Sequence, residues 1–392
     1  MDFAGRLEKL RHELRERNID AFLAAQNVDI FYFTGTMQNG YLWVPANEEP
    51  MLFVRRSVSR ARQESACRVM ELGSLRGWGE ELARHSPGVF RSAAPVIAAE
   101  FDVLPVQIWE RLKSALPQVN WTDGSRLVRE LRMIKDAEEI RLIREAARIV
   151  DAAMAKALGE LREGMTELEL QASIEREVRI NGHMGFMRMR AFNQELVTGF
   201  VVSGEAAAVP TAFDGPAGGR GLGAASPQGA SRKPIRRGEP ILLDVGCCIG
   251  GYVIDQTRTA VIGRLPEHLA RAYETAERIL RETEKRLRPG GVCEELYLDS
   301  LKMAEEAGLG GHYMGYGADQ VKFLGHGIGL EVDEYPVLAK GFRYPLAPGM
   351  VIAVEPKFTF PGEGVVGIEN SYAITENGFE KLNVTREGII EL

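Results

Sequence analysis

Only four cysteines and six histidines are spread through 392 residues, and that scarcity excludes several functions at once. The cysteines, two of them adjacent at Cys247 and Cys248, form no disulfide framework and fit no zinc-site spacing. Reduced thiols packed in the core of a cytoplasmic protein are the simpler reading. No apolar run approaches the roughly 18–20 residues that span a bilayer, and the segment from Met1 to Leu10 lacks the apolar core of a signal peptide. Basic residues are outnumbered: the net charge is −7 and the pI about 5.6, which argues against nucleic acid or an anionic membrane as the main partner. The one low-complexity stretch, 215–231, holds no Gly-x-x-x-x-Gly-Lys-Ser/Thr pattern and is no phosphate cradle. It reads as a mobile loop over a site entrance, or as an inert surface loop.

What is present is ordinary globular material, 45% hydrophobic and 26% charged, long enough for two domains. Apolar residues at helical spacing (Leu7, Leu10, Leu14) predict a helix over 4–18. Four short apolar runs follow, at 21–24, 30–33, 41–44 and 51–54, as in an α/β domain with a central mixed sheet. No paired carboxylates or histidine cluster stand out in this part. From Ser125 the texture changes to long helices, opened by capping boxes at Asp136-Ala-Glu-Glu139 and Thr166-Glu-Leu-Glu169. A second long-helix, glycine-turn, short-helix unit runs over 266–306. The two units read either as an internal duplication or as unrelated helix pairs. The domains are therefore set at 1–124 and 125–392.

Each helical unit precedes a hairpin rich in carboxylates. The stretch Ile241 to Thr259 reads as two short strands around a Gly250-Gly251 turn; if Ile249 and Gly250 are the two central residues, Asp244 stands directly opposite Asp255. Like charges so placed, with Cβ atoms about 4.5–5.5 Å apart, need a cation or a shared proton between them. In Val351 to Asn370, a turn at Gly362 places Glu355 opposite Glu369. Between the hairpins lies Gly325-His326-Gly327, whose glycines leave the imidazole unobstructed. Four carboxylates and a histidine can hold two divalent ions of the Mn, Co, Fe or Zn kind.

Asp-x-Gly at 244–246, Gly-Tyr-x-x-Asp-x-Thr-Arg-Thr at 251–259, Gly-His-Gly-Ile-Gly-Leu at 325–330, Glu355-Pro356 and Glu369 resemble the pita-bread metallohydrolases: aminopeptidase P, prolidase, methionine aminopeptidase and creatinase. The likeness extends to residues 6–35, which resemble the creatinase-type N-terminal domain, and to Leu131 through Asp136. It implies an α/β (α+β) chain: a creatinase-like N-terminal α/β domain, then a pita-bread catalytic domain with a duplicated helix–sheet half. It also implies a ligand set in which Asp244 chelates one ion, Asp255 and Glu369 bridge two, and His326 and Glu355 complete the second site. Manganese is the first expectation, with Co, Zn or Fe as alternatives. Glu355 would serve as proton acceptor. Tyr252 and the run Thr257-Arg258-Thr259 would support ligands or substrate. The enzymes resembled are commonly homodimers, so a cytoplasmic homodimer acting on small peptides is expected.

Two histidines usual near the substrate in such peptidases are replaced here by Thr211 and Asp333, and the arginine often found two residues before the last glutamate is Gly367. Asp333 could bind an ammonium group or carry a proton, or be a solvated loop residue; Thr211 can donate a hydrogen bond to substrate. Arg188 and Arg190 alternate with apolar residues and would either read a substrate carboxylate or form an ion-paired face. His183 and His312 read as turn or surface residues. The leading reading is an Xaa-Pro aminopeptidase or dipeptidase relative with altered specificity. The alternatives are a metal-dependent lyase or amidinohydrolase acting on a small molecule, and a binding module without catalysis.

Overall fold

A computed structural model describes all 392 residues, which divide into two compact units, Met1–Arg132 and Met133–Leu392. The first unit contains α1 (Phe3–Glu16), β1 (Ala21–Ala24), α2 (Asn27–Thr34), β2 (Gly40–Pro45), β3 (Met51–Val54), α3 (Val58–Glu64), β4 (Arg68–Glu71), α4 (Trp78–His85), β5 (Val96–Ala99), α5 (Val106–Ala115), β6 (Asn120–Asp123) and α6 (Ser125–Arg132). Its six strands form one mixed sheet in the order β4-β3-β2-β1-β5-β6. Helix α6 belongs to this unit rather than to the second, since it packs on α1.

The apolar run at 30–33 is helical, not a strand. Gln26 caps it by accepting from the Asp29 N–H, and Gly35, at φ 81°, ends it. Four consecutive apolar residues fit a buried helix as well as a buried strand, so their period does not discriminate. A buried carboxyl pair also escaped the sequence reading. Glu100 accepts from the N–H groups of Ala25 and Gln26 at 2.7 and 2.8 Å, while Asp29 receives Arg132 at 2.7 Å. Burial and the neighbouring Asp29 push Glu100 well above the usual carboxylate range. The pair serves to hold the start of α2.

The second unit opens with α7 (Ala137–Glu160) and α8 (Glu167–Ile180), both with complete capping boxes. Strands β7 (Gly199–Ser203), β8 (Ile241–Ile249) and β9 (Tyr252–Val261) follow, then α9 (Glu267–Glu284) and α10 (Cys293–Glu306). The chain ends in β10 (Phe323–Gly327), β11 (Glu334–Ala339), β12 (Val351–Val354), β13 (Lys357–Phe360), β14 (Gly364–Gly367), β15 (Asn370–Thr375), β16 (Gly378–Lys381) and β17 (Ile390–Glu391). A four-stranded sheet, β17-β9-β8-β7, carries α7 on its central strands. A five-stranded sheet, β11-β10-β12-β15-β16, and the β13-β14 ribbon receive α9 and α10. Every residue of β8 and β9 is buried, as expected of a hairpin covered on both faces. The four cysteines are unpaired; burial pushes Cys247 up to about 12 and Cys248 to about 11.

Glu387 ties this unit's edges together. It accepts from Lys381 and from Asn370, each at 2.7 Å, and pairs with Arg281 of α9. Burial acts to raise its carboxyl, but those three donors outweigh burial and hold it at about 2. The stabilisation is complete above the unfolded value of about 4.3 and fades as pH falls toward 2. Glu387→Gln is expected to lower the melting temperature at pH 7 by about 2–4 °C. Thermal scans at stepped pH should show the gap from wild type closing between pH 4.5 and 2; a constant gap would dismiss the linkage.

Candidate metal centre

The β8–β9 hairpin turns at Gly250-Gly251, with Ile249 paired to Tyr252, Asp244 to Thr257 and Asp255 to Gly246. The expected pairing of Asp244 with Asp255 is therefore displaced: the turn is centred one residue later, because both glycines take the positive φ that a tight loop needs, 57° and 94°. Asp244 and Asp255 are diagonal neighbours. They still share a face, since the pairing shift is even and side chains alternate with period two. Tyr252 lies on the opposite face. It is fully buried, and its hydroxyl donates to Glu139 of α7 at 2.9 Å. The expectation of Tyr252 as a substrate residue is corrected: it fastens the hairpin to the helix.

The turn at Gly362 stands where expected, for Phe360 pairs with Gly364 and Lys357 with Gly367. The same register resumes beyond it, where Val354 pairs with Asn370. Glu355 and Glu369 thus face each other at the break between the two ladders. Their N–H groups diverge, Glu355 to the Leu324 carbonyl at 3.0 Å and Glu369 to the Thr257 carbonyl at 3.1 Å. Arg258 fixes this break from behind. Its guanidinium donates to the carbonyls of Thr257, Glu369, Thr385 and Arg386 and to Asn370 Oδ1. Thr259 adds a reciprocal pair of bonds to the Gly367 backbone.

His326 sits on β10, between β11 and β12. Its flanking glycines serve the strands rather than the ring: a Cβ on Gly325 would meet the Ala353 carbonyl at 2.0 Å, and one on Gly327 the Tyr335 carbonyl at 2.3 Å. One ligand atom each from Asp255, His326 and Glu369 lie within 4.8 Å of one another. Glu369 Oε2 accepts from Thr257 Oγ1 at 2.8 Å, whereas Oε1 is buried and has no hydrogen-bond partner. Glu355 Oε1 stands 3.6 Å from His326 Nε2. An orphaned carboxylate oxygen beside an imidazole and a second carboxylate suits a divalent cation of the first transition row.

The sequence reading passed over Lys357, which is fully buried within this cluster. Its ammonium lies 2.6 Å from Glu355, 3.1 Å from Glu369 and 3.2 Å from Asp244. The signal was there to find: Lys357 is two residues beyond Glu355, so it returns to the same side of the strand. Burial pushes Asp244 and Asp255 upward, Asp255 well above its usual range, with Glu369 and Asp244 adding repulsion there. Glu355 is raised by burial to about 7, against the pull of Lys357. Glu369 is held low although burial opposes it, because Lys357, His326 and Thr257 surround it. One ammonium leaves the cluster short of positive charge.

Asp333 reaches the cavity over these groups, 3.4 Å from His326 Nδ1 with 47% of its side chain exposed. Glu334 clips its loop by accepting from the N–H groups of Leu330 and Glu331 and pairing with buried Lys135 at 3.0 Å. Thr211 lines adjoining outer cavities of about 460 and 420 Å³, not the one of about 50 Å³ above the carboxylates. The glycine-rich stretch contributes Gly215, Pro216 and Ala217 to that inner cavity and is pinned there, Thr359 donating to the Pro216 carbonyl at 2.8 Å. Arg190 stands 3.9 Å from Glu331, and Arg188 stacks on the ring of Phe186. His183 accepts from the Cys248 N–H, and His312 stacks on Phe360, so neither lies among the candidate ligands.

Fold and donor set together define a metallohydrolase. The chain belongs to metallopeptidase family M24, whose model matches residues 141–376, with a creatinase/prolidase N-terminal domain matching residues 6–134. An Xaa-Pro dipeptidase of Pyrococcus furiosus is 28% identical across 98% of this chain and 99% of its own. The prolidase structure from Pyrococcus horikoshii superposes with a TM-score of 0.81 at 27% identity, covering 98% of this chain and all of that one. An Xaa-Pro dipeptidase structure from Bacillus anthracis gives 0.83 at 25% identity over the full length of both.

Arg258→Met removes the one side chain that donates to four carbonyls and an amide oxygen. We expect a loss of about 3 kcal/mol in urea unfolding. An unchanged midpoint would remove Arg258 from its anchoring role.

Proposed function

We propose that this chain is a metal-dependent peptide hydrolase of the Xaa-Pro type, acting on small peptides. The observation that carries the reading is the buried cluster of Asp255, His326, Glu369 and Glu355 in a chain whose full-length relatives are named Xaa-Pro dipeptidases. Those names favour peptide hydrolysis over the lyase or amidinohydrolase alternative. Asp255, His326 and Glu369 would hold the cation, manganese being the first to try. A divalent ion supplies Lewis-acid polarisation of a carbonyl and lowers the pKa of water.

The remaining work falls to the chain. Glu355, with its proton affinity set near neutrality, takes a proton from water and returns it to the departing amine. The apolar cover of Phe200, Phe213 and Pro216 excludes bulk water and strengthens every charge below it. Asp333, half exposed at the cavity, offers an anion to a substrate ammonium group. Thr211, in the outer cavities, offers a hydroxyl to the more distant part of a peptide. Unpaired cysteines are consistent with a cytoplasmic setting. A homodimer, as the enzymes resembled form, completes the reading.

The test is a panel of dipeptides and tripeptides with and without Mn²⁺. Mn-dependent release of the residue before proline is expected, and no turnover of any Xaa-Pro peptide would overturn the assignment. Glu355→Gln should reduce kcat by about 10²–10⁴-fold. Asp255→Asn and Glu369→Gln should each lose Mn²⁺ binding in calorimetric titration; wild-type binding in both would displace the ligand set.

A further inference from the structure

We propose that the metal centre is built for one divalent cation, with the Lys357 ammonium fixed where a second would sit. The inference deepens the metallohydrolase reading and rests on it. The ammonium is bound by oxygens of Asp244, Glu355 and Glu369, three of the four carboxylates in the cluster. It fills the place between them that a cation shared by these groups would need. The opposite flank presents uncommitted donors: Glu369 Oε1 lacks a partner beside Asp255 and His326.

The facing strand leaves the lysine stem unobstructed. Gly367 is directly opposite Lys357 across the β13–β14 ladder. A Cβ at that position would lie 2.6 Å from Lys357 Cγ and 2.6 Å from the Pro356 carbonyl. Backbone and lysine stem together therefore leave room only for glycine there, at the position where the enzymes resembled often carry arginine. Charge points the same way. The ammonium and one divalent ion offset three of the four carboxylate charges, and a second divalent ion would sit against a buried ammonium held by the same oxygens. A lysine is also permanent: a chelator that removes the cation leaves Asp244 and Glu355 still paired.

The experiment is Mn²⁺ titration of chelator-treated full-length protein, read by elemental analysis after desalting and by electron paramagnetic resonance. One Mn²⁺ per chain with an uncoupled six-line spectrum is expected. Two per chain, or the spectrum of an exchange-coupled pair, overturns the single-cation centre while leaving the hydrolase reading in place. No bound Mn²⁺ overturns both. One Mn²⁺ without peptide turnover supports the single-cation centre and counts only against the peptidase assignment. Lys357→Gly, checked for native circular dichroism, should raise the capacity to two per chain. If that variant does not fold, the wild-type stoichiometry and spectrum decide the question alone.

Discussion

Four carboxylates within a tenth of full burial are the constraint around which the second unit is arranged. Desolvation alone would protonate them, and their mutual repulsion adds to that pressure. Buried charge persists only where compensation is built in. Arg258 neutralises no ligand; it anchors the carbonyl side of Glu369 while Thr257 and Lys357 address its carboxylate. Glu355 and Glu369 are each fastened by backbone bonds to a different sheet, so the two sheets meet at the cluster. Cation binding at such a place stabilises the packing of the sheets as well as the site.

Much of this could be read from the chain because its signals are local. Capping boxes at Asp136 and Thr166 state where helices begin, and the structure completes both. The turn at Gly362 was recoverable because a single centre satisfies the pattern on both sides. At the Gly250-Gly251 turn, pairing counted from Ile249 and Gly250 is one residue short of the true centre, and Asp244 and Asp255 still share a face because an even shift preserves it. An odd shift would have sent Asp244 and Asp255 to opposite faces. Ile30–Phe33 shows the limit of pattern: a run apolar on every side carries no period, and only the Gln26 and Gly35 caps decide it.

What stayed hidden depended on contacts between distant segments. Tyr252 finds Glu139 across 113 residues, and nothing beside either residue announces the pair. Asp29 and Glu100 meet because α2 begins beside the end of β5, which requires the order of the sheet. Asp333 is beside His326 because Glu334 and Lys135 shape the intervening loop, a clip spanning 199 residues. Lys357 is a different case. Its spacing from Glu355 was visible, but a lysine in a carboxylate-rich segment reads as a solvated counter-charge until burial is known.

One departure from the resembled pattern, Gly367, is tied to the buried lysine. Lys357 and Gly367 are partners across one ladder, and the absence of a side chain at 367 leaves the lysine stem and the Pro356 carbonyl unobstructed. A cation is thus carried on β13 instead of β14, and its ammonium points into the donor set. That placement removes the need for one exchangeable ion and leaves Asp244 committed to the lysine. The flank of the cluster near Asp255 and His326 then carries the unpartnered Glu369 oxygen, and Asp333 stands beside His326 on that flank. The lysine and the unpartnered oxygen thus belong to opposite sides of a single glutamate: Glu369 Oε2 accepts from Thr257 and Lys357, while Oε1 has no hydrogen-bond partner.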